Sequence, residues 1–129
     1  MRYVDFIQKV AERSGGVSLG KAEAITTATL RTLAERIVGG EARDLAAQLP
    51  KDLQEPLTSG VDQPAERMAL EEFVHRVAAR GEVNFTLARQ GTRAVLETLR
   101  DAVSEGEFDG VLAQLSQEYH ELLRPVASR

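Results

Sequence analysis

Glu72 and His75 stand three residues apart in "EEFVH". This is the i, i+3 spacing with which four-helix bundles present a carboxylate and an imidazole to a di-iron centre. Such a centre needs two of these pairs plus further carboxylates, all aimed into the bundle. The second histidine, His120, has Glu118 and Glu121 beside it but no glutamate three residues before it. A solvated helix face is the simpler reading of both, so no metal or cofactor is expected. Adjacent carboxylates such as Glu71 and Glu72 point about 100° apart on a helix and make no acid/base pair by themselves. The 129 residues hold no Ser/His/Asp order, no Gly-rich phosphate loop, no HExxH and no cysteine, which removes thiolate nucleophiles and Cys-based metal sites as well. No catalytic residue is nominated, and a non-enzymatic protein is expected.

Binding chemistry has more candidates. Gln48 and Gln114 are polar residues set in matching apolar turns, "LAAQLP" and "VLAQLS". Each amide either ties down free backbone groups at a helix junction or, with Arg43 and Asp44, marks a docking site for a partner protein. Thr26, Thr27, Thr29 and Thr32, with Thr92 and Thr98, put hydroxyls along two long helices. Buried helical threonines usually bond back to the i−4 carbonyl; the sharper reading is a ligand cleft lined by Thr26 and Thr92. "EARDLAAQLPKDLQ" has the length of a helix-turn-helix, but its second helix sets one lysine against Asp52 and Glu55, a poor match to a DNA groove. Arginines 76, 80, 89 and 93 gather into a basic strip only if their two helices lie side by side. Residues 1–60 carry eight basic and eight acidic side chains, and residues 61–129 carry eight and twelve, which gives the net charge of −4. Phosphate contacts supply much of the affinity of nucleic-acid binders, so this balance ranks nucleic acid well below a protein partner.

The elements that must position these groups come twice. Tyr3, Phe6, Ile7 and Val10 recur in the second half as Leu70, Phe73, Val74 and Val77, at the same helical spacing. "SGG" at 14–16 and "GE" at 81–82 break the two helices, with glycine suited to the left-handed closing residue. Ser18 and Asn84 then read as N-caps of long helices over about 19–38 and 85–104. Ala22, Thr26, Ala28, Leu30, Thr32 and Leu33 recur as Ala88, Thr92, Ala94, Leu96, Thr98 and Leu99, the offset being slightly smaller because the second break is shorter. Gly40 and Gly106 are expected to separate each long helix from a short one. Pro50 and Ser116 open a last helix, which Pro56 shortens in the first copy. The spacing predicts an all-α fold: a tandem duplication of a four-helix unit, fused into one helical bundle domain with pseudo-twofold symmetry. Residues 1–58 form repeat one, 59–67 the linker and 68–125 repeat two. Amphipathic helices that the duplication leaves uncovered are expected to self-associate.

"FIQKVAER" and "LRTLAERIVGGEARDLAAQLPKDLQEPL", echoed by "FVHRVAAR" and "AVLETLRDAVSEGEFDGVLAQLSQEYHELL", resemble the bacterial family known as domain of unknown function 2267. The resemblance covers nearly the whole chain, and "GGEARDLAAQLP" is its most specific part. Phe108, Gly110 and Ser116 depart from it where the first copy has Ala42, Asp44 and Pro50. It implies a small all-α bacterial protein, alone or fused to regulatory modules and often with stress-related proteins nearby, and it brings no catalytic residues. The N-terminus lacks the apolar run of a signal peptide, and no stretch reaches the ~18 apolar residues of a membrane span. The expectation is therefore a cytoplasmic, protein-binding or regulatory module, with a small-ligand sensor as the alternative.

Overall fold

A computed structural model describes residues 1–60 and 62–125. Val61, in the expected linker, and residues 126–129 lie outside it. All regular structure among the described residues is helical: α1 (Tyr3–Arg13), α2 (Leu19–Arg36), α3 (Gly39–Ala47), a single 3₁₀ turn (Lys51–Leu53), α4 (Gln54–Thr58), α5 (Leu70–Gly81), α6 (Phe85–Ala102), α7 (Glu105–Leu112) and α8 (Gln117–Leu122). The protein is all-α. Helices α2 and α6 are both 18 residues long and begin directly after their caps, Ser18 and Asn84.

Local chemistry accounts for several helix ends. Ser18 accepts from the Lys21 amide at 3.1 Å and Asn84 from the Leu87 amide at 2.8 Å, each satisfying one orphan donor of a first turn. Gly15 and Gly16 take φ of +85° and +82° after α1. After α5 the left-handed residue is Glu82 (φ +54°), not the glycine. Gly81 stays helical and is buried against α2, where a Cβ would sit in ordinary contact, 3.6 Å from the Ala28 Cβ. Gly40 and Gly106 also fall inside helices, in the first turns of α3 and α7. The breaks before them are made by Ile37-Val38 and Val103-Ser104, all in extended conformation. Pro50 precedes the 3₁₀ turn instead of opening a helix, and α4, with Pro56 in it, is five residues long.

The two halves of the sequence interlock. Packing is most extensive between α2 and α5, and α1 packs on α6 as well as on α2. Each first helix thus lies against the long helix of the other half. Polar clamps mark both crossings. Arg13 donates to the Thr98 hydroxyl at 3.0 Å and to Asp101 at 2.7 Å. Arg80 donates to the Thr32 hydroxyl at 3.0 Å and to Glu35 at 2.7 and 2.8 Å. In the aligned halves of the sequence Thr98 and Asp101 stand where Thr32 and Glu35 do, and Arg80 stands where Arg13 does. The clamps therefore match position for position.

Between them one apolar core runs through the molecule, from Phe6, Ile7 and Val10 to Phe73, Val74 and Val77, with Ile25, Leu30, Leu33, Val95, Leu96 and Leu99 from the long helices. The linker is tied to this core. Arg76 binds Glu35, Glu66 and Glu72 together, and the Glu66 amide donates to the Glu35 carbonyl at 2.8 Å. Arg80 and Arg76 hold Glu35 below the usual carboxylate range, and Arg76 does the same for Glu66. Behind them the fully buried Tyr119 donates to the Met68 carbonyl at 2.7 Å and packs edge-on against Phe73.

Candidate functional site

Gln48 and Gln114 follow the ends of α3 and α7, and each reaches across to the start of the other helix. Gln48 Oε1 accepts from the Ser104 amide at 2.7 Å, and its amide nitrogen donates to the Ser104 hydroxyl at 3.3 Å. Gln114 Oε1 accepts from the Val38 amide at 2.8 Å. Ser104 and Val38 are the N-cap residues of α7 and α3. The structural reading of the two glutamines therefore has its geometry, with the bonds crossing to the opposite half instead of serving the local junction. That crossing is invisible in the sequence, because it needs the two halves to face each other.

Between these links lies a group of three carboxylates. Oxygens of Glu41 and Asp44 from α3 and Glu107 from α7 lie within 4.8 Å of one another. Gly110, which stands where the first half has Asp44, leaves room for them: a Cβ there would be 2.8 Å from Glu41 Oε1. One oxygen of Glu107 is buried without a hydrogen-bond partner. The Glu107 carboxyl is pushed up to about 7, first by its hydrogen bond with Glu41, then by burial and by the charges of Glu41 and Asp44. Crowding by neighbouring carboxylates favours the protonated form of a carboxyl in this way. Among the described residues none of the three takes part in an ion pair, and neither does Arg43, which is exposed on the same helix. The sequence points to Arg43 and Asp44 here but not to Glu41 and Glu107 as a pair; their equivalent places in the two halves are the available signal.

The other candidates are spent on structure. Glu72 binds Arg76 at 2.9 Å, while the exposed His75 sits 3.7 Å from Glu71 and packs against Phe85, so the "EFVH" spacing builds no inward-facing pair. His120 Nε2 lies 2.9 and 3.2 Å from the carbonyls of Leu112 and Leu115 at the end of α7. Gln54, its counterpart in the first half, donates to the Leu49 carbonyl in the same way. Thr92, Thr98, Thr29 and Thr32 donate to their i−4 carbonyls at 2.7–2.8 Å. Thr26 and Thr92 are fully buried, and Thr26 has no hydrogen-bond partner among the described residues. In the helix-turn-helix stretch, Pro56 and Leu57 of the second helix are buried and the exposed Glu55 pairs with Arg31.

Two surface clefts stand apart from these residues. One, of about 750 Å³, lies between α2, the linker and α5, lined by Arg31, Glu35, Glu66 and Arg80 among others. The second, of about 560 Å³, lies between α6 and the end of α8, lined by Arg89, Arg93 and Arg124 among others. The four arginines read as a candidate strip thus divide: Arg76 and Arg80 are locked to glutamates, and Arg89 and Arg93 face a different cleft. No helix among the described residues is long and apolar enough to cross a membrane.

The sequence has no match among the curated proteins. A family profile does match, over residues 3–122 and so over nearly all of the folded chain from α1 to α8. The protein belongs to the family of uncharacterized conserved proteins designated DUF2267.

Proposed function

We propose that the protein is a non-enzymatic helical module that binds a protein partner, with the α3–α7 junction as its docking face. One observation carries this reading: among the described residues Arg43, Glu41 and Asp44 take part in no ion pair, on a junction fastened at both ends by Gln48 and Gln114. Unsatisfied charge on a held surface suits recognition of a partner with matching charges. The internal duplication read in the sequence supports the same view, since it would place Glu41 and Glu107 on a pseudo-twofold axis where one partner can address both halves. A stress-linked role rests on the family resemblance alone, and a cytoplasmic location on the reading of the sequence.

The test is recovery of the tagged chain at native expression, with mild crosslinking, from growing and starved cells. A stoichiometric protein partner is expected, lost on Arg43→Ala/Asp44→Ala. Both residues are exposed, so the variant should fold as the parent does. Recovery of the chain alone under both conditions would end the reading. A small-ligand sensor is favoured by the 750 Å³ cleft, which has the size of a ligand site. Its Glu35, Glu66 and Arg80 are already engaged in ion pairs, and Thr26 and Thr92 do not line it.

A further inference from the structure

The groove between α6 and the end of α8 carries charge of the opposite sign to the protein as a whole. Three guanidinium groups, Arg89, Arg93 and Arg124, line it against one carboxylate, Glu121, in a chain of net charge −4. Arg93 is partly committed: it lies 3.4 Å from Glu97 and donates to the Arg124 carbonyl at 3.3 Å. That second bond fixes the end of α8 against α6 and so shapes the groove. Arg89 and Arg124 are exposed, and among the described residues their side chains make no hydrogen bond or ion pair. Leu122 and Pro125 add an apolar wall beside them.

We propose that this groove binds an acidic peptide segment of a partner protein, with Arg89 and Arg124 gripping carboxylates and Leu122 and Pro125 seating an apolar side chain between them. Guanidinium forks bind carboxylates through paired, charge-assisted bonds, and two of them lining one groove suit alternating acidic and apolar positions. The choice of a peptide over a nucleic acid follows from the surroundings. Residues 61–129 carry twelve acidic side chains against eight basic, so a long polyanion leaving the groove meets repulsion, while a short acidic segment stays within the local positive field. The proposal rests on the reading of the protein as a binding module, but not on the α3–α7 face.

The test uses the full chain and a fluorescent peptide of alternating glutamate and leucine, followed by anisotropy at low and moderate salt. Saturable binding is expected, weakened at least tenfold in Arg89→Ala/Arg124→Ala, whose melting curve should match that of the parent because both side chains are exposed. The charge-reversed Arg89→Glu/Arg124→Glu variant should instead prefer a lysine–leucine peptide. No saturable binding, or binding indifferent to both arginines, would overturn the proposal. So would tighter binding of a single-stranded oligonucleotide of equal charge at the same site. If the cellular partner is retained by Arg89→Ala/Arg124→Ala but lost by Arg43→Ala/Asp44→Ala, the groove proposal fails while the module reading stands; if no partner exists, the module reading itself has failed.

Discussion

Replacing Gly91 with leucine is expected to cost about 3 kcal/mol or more, lowering Tm by roughly 10–20 °C. Gly91 is buried in α6 at its crossing with α2, where a Cβ would come 2.5 Å from the Ile25 Cγ2 atom. Ile25 is itself fully buried, and Cγ2 sits directly on its β-carbon, so it can withdraw only by a change of rotamer or a backbone shift. Even alanine should destabilise the protein, although glycine in a helix interior ordinarily costs about 1 kcal/mol relative to alanine; here the overlap outweighs that gain. Gly91 stands in the second half where Ile25 stands in the first, so a large residue in one half fills the place left by the smallest in the other. The pair Ile25→Ala/Gly91→Val should therefore be more stable than the sum of its single variants, because the added volume enters the space vacated. Thermal melts of the four proteins check this. A fully additive cycle would mean that the two residues do not meet.

Glu107→Gln is expected to stabilise the protein at alkaline pH and to leave it unchanged in acid. The carboxyl sits at about 7 in the folded chain against an ordinary 4.5. A raised value means that the favourable state is the protonated one. Its stability is fully present below the unfolded value and is lost as pH rises through the folded one, where the folded protein must either keep a proton the unfolded chain has released or crowd charges against Glu41 and Asp44. The shift sets an upper bound of about 3 kcal/mol; with part of the group open to solvent, a gain of roughly 1–2 kcal/mol at about pH 8 is expected. Glutamine keeps a donor for Glu41 and carries no charge. Denaturant unfolding of parent and variant in mildly acidic and mildly alkaline buffer checks the effect. An equal change in both would show that Glu107 does not lose its proton between the two conditions in the folded chain.

Much of the fold is legible in the sequence because its signals are local. The apolar stripes of α1 and α5 and the caps Ser18 and Asn84 sit where spacing and side-chain chemistry place them. The long helices end slightly earlier than their periodicity suggests, since nothing in "RIVGGE" or "DAVSEGE" says that Ile37 and Val103 turn extended before the glycines. Residue type favours Gly81 as the left-handed residue after α5, whereas the turn falls one residue later, on Glu82, with Gly81 buried in the last turn of the helix. Of the candidate site, the glutamines are visible as a matched pair, but their partners are not. Ser104 and Val38 are 56 and 76 residues from the glutamines that hold them, and only the interlocking of the halves brings them together. The carboxylate group and the arginine groove are hidden for the same reason: each draws on two helices, with α3 and α7 far apart in the chain.

Interlocking is the claim on which the rest depends, since the clamps, the reciprocal glutamines and the carboxylate group all span both halves. Its direct test is a fragment of residues 1–60, followed by circular dichroism through heat and denaturant. Alone, α1 loses α6, α2 loses α5 and α6, and α3 loses α7. Buried faces carrying Phe6, Val10, Ile25 and Leu33 would be left open to water, in a chain already near the lower size limit for a stable core. The account predicts partial helicity that fades without a cooperative transition. A single sharp transition from the isolated fragment, with the helix content of its half, would contradict it.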